Sequence, residues 1–297
     1  KGKIELALAL ALALALSLAS RLPTLAALSL ACASSASASP IDLGSVGAYT
    51  LLGAGVPFAS AHAGTVSLGS AAHVFGSVGG RHYLNIAPAV VITGDLNGGT
   101  VSASPDIVVG GSQSTLSTAQ WTAEYQDLTD ASLAASALPN QQTVPSITST
   151  LTLSAQPGGL SVFHVQGSFN LGSGESLILS GGFTDRFVIN VDQGMQLGSG
   201  AAITLAGLQA ENVLFNFTSN SASDAAIIGA AAFSGNFFAP HMFWQIGDGA
   251  TMAATRILVS GVQANLQDMT PPAAIPEPTT ALLLTLGLAG LGMRRRH

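Results

Sequence analysis

The sequence predicts an all-β body, a right-handed parallel β-solenoid with one long flanking helix, bounded by an N-terminal signal helix and a C-terminal transmembrane helix. Three observations predict it. Short runs of β-branched and apolar residues are closed by Gly, Asn or Pro throughout the body, as short strands joined by tight turns are. Strong apolar runs recur at Phe187, Val213 and Met242, roughly 25 to 30 residues apart with weaker runs between, a spacing that suits coils burying their inward side chains on one another. One segment of helical spacing interrupts this texture. A two-sheet sandwich is the alternative, with longer and more evenly alternating strands.

Taken in order, the body opens with runs at 64–68, 73–75, 89–93 and 107–109. Between Ser117 and Leu138 the apolar residues Trp121, Tyr125, Leu128 and Leu133 approximate one helical face; Thr118 serves as the starting cap, and Pro139-Asn140 stops the helix. Its aromatic face is expected to pack on a sheet. Strands resume over 147–153, 160–165, 177–180, 187–191, 202–205, 213–217, 225–228, 236–238, 242–246 and 257–260. Glycine turns such as Gly172-Ser173-Gly174, Gly198-Ser199-Gly200 and Gly247-Asp248-Gly249 separate several of them.

Charge narrows the function classes. Only 8% of the 297 residues are charged. Between positions 40 and 274 the bases are Arg81, Arg186 and Arg256 against thirteen acids, a net of −10 with no lysine. Such a surface repels nucleic acid and anionic lipid, so no nucleic-acid partner is expected.

The chain ends carry export signals. Lys1 and Lys3 precede an apolar run at 6–18, then Arg21 and a second run at 22–33. Ala36-Ser37-Ala38 fits the pattern that signal peptidase cuts, so residues 1–38 are read as a secretory signal. The sole cysteine, Cys32, lies within it; position 29 is Ser where a lipoprotein box has an aliphatic residue. Cleavage at Ala38 leaves a body, 39–270, that owes nothing to disulfides or thiolate metal sites. Residues 271–297 form a linker and tail. There Pro276-Glu277-Pro278 is followed by an apolar run at 279–293 and by Arg294, Arg295 and Arg296. A helix stopped by clustered arginines halts with them in the cytoplasm. About 15 residues at roughly 1.5 Å each span about 22 Å, less than the ~30 Å hydrocarbon core, so the helix inserts but makes a poor permanent anchor.

Pro-Glu-Pro, a short apolar helix and terminal arginines, in that order, resemble the PEP-CTERM sorting tail of exopolysaccharide-forming Gram-negative bacteria. The resemblance implies recognition by an exosortase, a membrane cysteine protease that removes the tail, and transient residence in the inner membrane. The body resembles a second family. Asp185-Arg186-Phe187-Val188-Ile189-Asn190-Val191, the Gly198-Ser199-Gly200 turn, Glu211-Asn212-Val213-Leu214-Phe215-Asn216-Phe217 and Gly235-Asn236-Phe237-Phe238-Ala239-Pro240 look like the core of choice-of-anchor A domains and bacterial ice-binding-like solenoids. The segment from Trp121 to Leu133 resembles the helix that lies along them. This resemblance implies the solenoid fold and leaves the role open.

Catalytic signatures are sparse. No P-loop, Gly-x-Ser-x-Gly elbow or His-Glu-x-x-His helix occurs, and no Gly-x-Gly-x-x-Gly is completed. Asp185 beside Arg186, with Asp192 near, is the best pair for a polysaccharide lyase; an ion pair at a coil edge is the alternative. Asp95-Leu96-Asn97-Gly98-Gly99 fits a calcium turn or a plain Asn-Gly turn. His62, His73 and His82 are spaced to stack across coils or to sit separately on the surface. No catalytic residue, metal or cofactor is assigned. Ser146, Thr148, Thr150 and Thr152 alternate, which in one strand places them on one face, either an ice-ordering surface or a solvated one. The expectation is a non-enzymatic, exported protein of the cell surface or extracellular polysaccharide matrix, with ice binding as the alternative and a carbohydrate-active enzyme third.

Overall fold

The structure, a computed structural model, describes residues 41–55, 62–221, 224–265, 268 and 269, all within the compact unit Ser39–Ala274. The signal-cleavage residues Ala36 and Ala38, the tail residues Pro276, Glu277, Pro278, Arg294, Arg295 and Arg296, and the segments expected to form the two terminal helices lie outside the described residues.

The N-terminal part supplies β1 (Tyr49–Gly53), β2 (Thr65–Leu68), β3 (His73–Val74), β4 (Ser77–Ile86), β5 (Val91–Ile92), β6 (Leu96–Ala103), β7 (Val108–Val109) and β8 (Gln113–Ser114). Helix α1 (Thr118–Ser136) follows. Then come β9 (Gln142–Val144), β10 (Leu151–Ser154), β11 (Leu160–Val165), β12 (Phe169–Leu171), β13 (Ser176–Ser180), β14 (Arg186–Val191), β15 (Met195–Leu197), β16 (Ala202–Ala206), β17 (Val213–Phe217) and β18 (Ala225–Ile228). Two long strands, β19 (Ala232–Ile246) and β20 (Thr251–Ala264), and the short β21 (Asp268–Met269) complete the body. The pairings that link coil to coil are parallel, as a solenoid requires.

The long strands show why a coil has three faces. β19 pairs with β20 in three stretches, with register shifts between Phe233 and Gly235 and between Ala239 and Phe243. Each shift is a corner. Pro240 occupies the second, where a residue lacking an N–H interrupts no ladder bond. The first face carries β10, β13 and β16; the second carries β11, β14 and β17; the third carries β12, β15 and β18. Phenylalanines stack between coils inside, Phe163 on Phe187 at 5.6 Å and Phe215 on Phe237 at 4.8 Å and 4°.

Stacking order departs from chain order. β1 lies between β20 (Leu51↔Ile257) and β4 (Leu51↔Val78), and β2 likewise lies between β20 and β4. The chain thus starts mid-stack, steps outward through β4 and β6 to β8, and resumes at the far end, where β9 pairs with β11. From there it winds back until β20 meets β1.

α1 covers the second face. Its cap is Ser117 in a reciprocal box with Gln120, in place of the expected Thr118, whose carbonyl instead accepts the Thr122 hydroxyl. Trp121, Leu128, Ala131, Ser132 and Ala135 are buried, on Val162, Val188, Leu214, Phe238, Leu258 and Leu52. The expected Leu133 is instead 61% exposed, because the 121-128-131-135 stripe leaves it on the outer side. Ala131, Ser132 and Ala135 are small, so the helix reaches the asparagines beneath it. Asn190 Nδ2 donates to the Ala135 carbonyl at 3.1 Å, and Asn216 Nδ2 donates to the Ser132 carbonyl at 3.0 Å and to Asn190 Oδ1 at 2.8 Å.

Three strand expectations shift. The run at 147–153 forms a strand only from Leu151, with Ile147 making an isolated bridge to Phe169. Residues 77–86, outside the expected runs, and 96–103, whose start fits a calcium or Asn-Gly turn in the sequence, are strands β4 and β6, whose glycines lie against neighbours that leave no room for a Cβ: one on Gly98 would meet Leu84 at 2.5 Å.

Candidate functional site

The third face is built from a repeated triplet, an amide flanked by two apolar residues: Phe169-Asn170-Leu171, Met195-Gln196-Leu197, Trp244-Gln245-Ile246, Val262-Gln263-Ala264 and Leu84-Asn85-Ile86. In a strand, alternate side chains point to opposite sides. The flanking residues are all buried in the core, and the central amides are exposed. The coils stack in register, so these central residues form one column: Asn170, Gln196, Ile227, Gln245, Gln263, Ser67, Asn85 and Ser102 are successive cross-strand partners. Eight strands spaced by about 4.8 Å make the column roughly 34 Å long.

The column bears no charge. Beside it runs a second file with two aromatic rings: Phe243 lies between Ala225 and Gly261, and Tyr83 between Thr65 and Thr100. Tyr83 is 39% exposed, and the His62 ring stacks on Phe243 at 4.7 Å. At the β12 end the face dips into a groove of about 240 Å³ lined by Asn170, Gln193, Gln196, Ile227, Ser168 and Asp224. Asp224 accepts a hydrogen bond from the Ser219 hydroxyl. At the neighbouring corner Asp192 holds His164 at 2.8 Å and accepts from Thr218. His82, at the opposite corner, is pushed below the usual imidazole range by burial and by Arg81. The face offers amide donors and acceptors, a few hydroxyls and two rings, so it can bind by hydrogen bonding and ring contact.

The sequence-predicted residues are placed as follows. Ser146, Thr148, Thr150 and Thr152 are all exposed, but only Thr152 is within a strand. Thr152 is in register with Ile178 and then Thr204 on the first face, and Thr150 Oγ1 accepts from the Ser176 N–H. Asp185 accepts from the Gly182 N–H at 2.8 Å, closing its own turn rather than pairing with Arg186. Asp95 accepts from the Ser112 N–H and hydroxyl, which hold its carboxyl below the usual range, while Asn97 lies within β6. His73 is on the first face and His82 at a corner of the third, so the first three histidines do not form one stack. Among the described residues no group of three or more His, Cys, Asp or Glu could hold a metal ion, and no helix is long and apolar enough to cross a membrane.

Comparison with known proteins bears on both parts of the chain. A family model described as an ice-binding-like adhesive domain matches residues 41–253, and one described as the PEP-CTERM protein-sorting motif matches residues 274–296. Among curated proteins none matches. An ice-binding protein from the Antarctic ascomycete Antarctomyces psychrotrophicus superposes with a TM-score of 0.54 at 16% identity, over 78% of this chain and 98% of that one. A glycosylated ice-binding protein from an Arctic yeast gives 0.55 at 17% identity, over 80% and 96%. The ice-binding protein domain of Shewanella frigidimarina gives 0.51 at 18% identity, over 78% and 97%. At these identities the likeness establishes a shared fold.

Proposed function

Because the chain belongs to the ice-binding-like adhesive domain family and ends in a PEP-CTERM sorting motif, we propose that it is an exported, non-enzymatic adhesive of the cell surface or exopolysaccharide matrix. Signal peptidase removes the first 38 residues, the apolar helix at 279–293 holds the protein transiently in the inner membrane, and an exosortase acting at Pro276-Glu277-Pro278 releases it. The observation that carries the adhesive reading is the third face, an exposed and uncharged column continuous over eight strands, while α1 covers the second face. The absence of catalysis is supported by the way Asp185 and Asp192 are committed to Gly182 and His164. The test compares a host strain lacking the gene with the same strain complemented by the full chain. The complemented strain attaches more firmly to surfaces and retains more matrix; equal attachment and matrix in both would contradict the proposal.

Ice binding is the second reading, favoured by the exposure of Ser146, Thr148, Thr150 and Thr152 and by the named activity of the structural neighbours. Thermal hysteresis in the secreted protein would establish it, and none at high concentration would dismiss it.

A further inference from the structure

We infer that the third face is a binding site for a neutral, hydroxyl-rich polysaccharide chain, laid along the amide column from Asn170 to Asn85. The inference rests on the adhesive reading and adds to it the face and the ligand class.

Three features converge. The first is side-chain chemistry. A primary amide offers two N–H donors and one acceptor oxygen, so each can both give to and take from a sugar hydroxyl. Gln196, Gln245 and Gln263 are all exposed, and none of their side-chain amides has a hydrogen-bond partner among the described residues. Long, rotatable glutamines adapt to a flexible chain. They suit a rigid lattice poorly, because each long side chain must give up its rotamer freedom to match fixed positions.

The second is charge. No acidic or basic side chain stands in the column or in the adjacent file, although the body as a whole is strongly acidic. An acidic polysaccharide gains no cation there and meets the repulsion of the surrounding carboxylates, whereas a neutral one meets neither. A charged protein partner is disfavoured for the same reason.

The third is spacing and rings. Cross-strand repeats of about 4.8 Å approximate the advance of one ring in an extended sugar chain, so successive column positions, five of the seven from Asn170 to Asn85 being amides, meet successive residues of the polymer. Tyr83 and Phe243 flank the column at separate coils, presenting ring surface to the apolar faces of sugars, and Phe243 is held in place by His62. The groove at Asn170, Gln196 and Ile227 gives the column one recessed end, suited to a chain terminus or branch; its one carboxylate, Asp224, is bonded to the Ser219 hydroxyl and can accept from a sugar hydroxyl.

The test uses the protein secreted by cells expressing the full chain, assayed for retention on microcrystalline cellulose and for affinity electrophoresis in dextran and in alginate. The expected result is binding to at least one neutral glycan and none to alginate. The triple variant Gln196→Ala, Gln245→Ala, Gln263→Ala, all at exposed positions, is expected to lower that binding at least tenfold. Thr204→Ala on the first face leaves it unchanged. Unaltered far-ultraviolet circular dichroism certifies that both variants fold. Retained binding in the triple variant, preference for alginate, or no neutral-glycan binding by the wild type would overturn the inference. The gene-deletion test above stands apart: a triple variant that restores attachment as fully as the wild type would sink the assigned face and leave the adhesive role intact.

Discussion

Leu51, in the first strand of the body, is the direct cross-strand partner of Ile257, in the last long one, and both are fully buried. The two ends of the exported body therefore close on each other in the middle of the stack. No coil near this seam can be completed until the final coil has formed. Long-range closure of this kind makes folding slow, because the loop entropy is lost before the contact forms.

Truncating either partner should expose that dependence. Leu51→Ala and Ile257→Ala are each expected to cost about 2–5 kcal/mol in urea unfolding, from lost burial and the cavity left behind. The double variant should depart from additivity by about 0.5–3 kcal/mol. Strict additivity would mean that the two residues do not share one packing unit.

The helix is tied down by polar contacts as well as by packing. Asn216 receives the Ser132 hydroxyl at 2.6 Å and donates to both the Ser132 carbonyl and Asn190, in a site closed to solvent. Asn216→Ala leaves those groups unmet and should cost about 1–3 kcal/mol for each one stranded. Hydrogen exchange should show α1 opening more readily while the coils at β19 and β20 keep their protection. Uniform loss of protection would contradict this.

Stability should also fall below neutral pH through His241. Its ring meets the Tyr125 hydroxyl at 3.3 Å, and burial depresses its pKa below the ordinary 6.5. Below that value the unfolded chain binds a proton that the folded chain resists, so the contribution is complete above pH 6.5 and declines as pH falls through it. His241→Gln should flatten the stability curve between pH 7 and 5, as read by thermal unfolding in a pH series. A curve with the wild-type slope would rule out His241 as its source.

Much of the fold was legible in the sequence because coils write themselves locally. The apolar runs at Phe187 and Val213 and the helical spacing from Trp121 to Leu128 each state a local preference that packing then honours. The seam was not legible, since nothing around Leu51 says which distant edge it will meet. The candidate face was hidden for a different reason. Asn170 and Gln196 are 26 positions apart but Gln245 and Gln263 only 18, so a fixed period misses the column even though the apolar-amide-apolar triplet recurs. The Thr-rich run at 146–152 misled in the opposite sense: alternation suggested a strand, yet Pro145 and the bridge at Ile147 delay it until Leu151.

Export followed by exosortase sorting is tested most directly by the intact mass and location of the protein in a native host with and without its exosortase. The expected species begins near Ser39, lacks everything beyond about Pro278, lies outside the cell and depends on the exosortase. A species that keeps Arg294, Arg295 and Arg296 and stays in the membrane in both strains would contradict it.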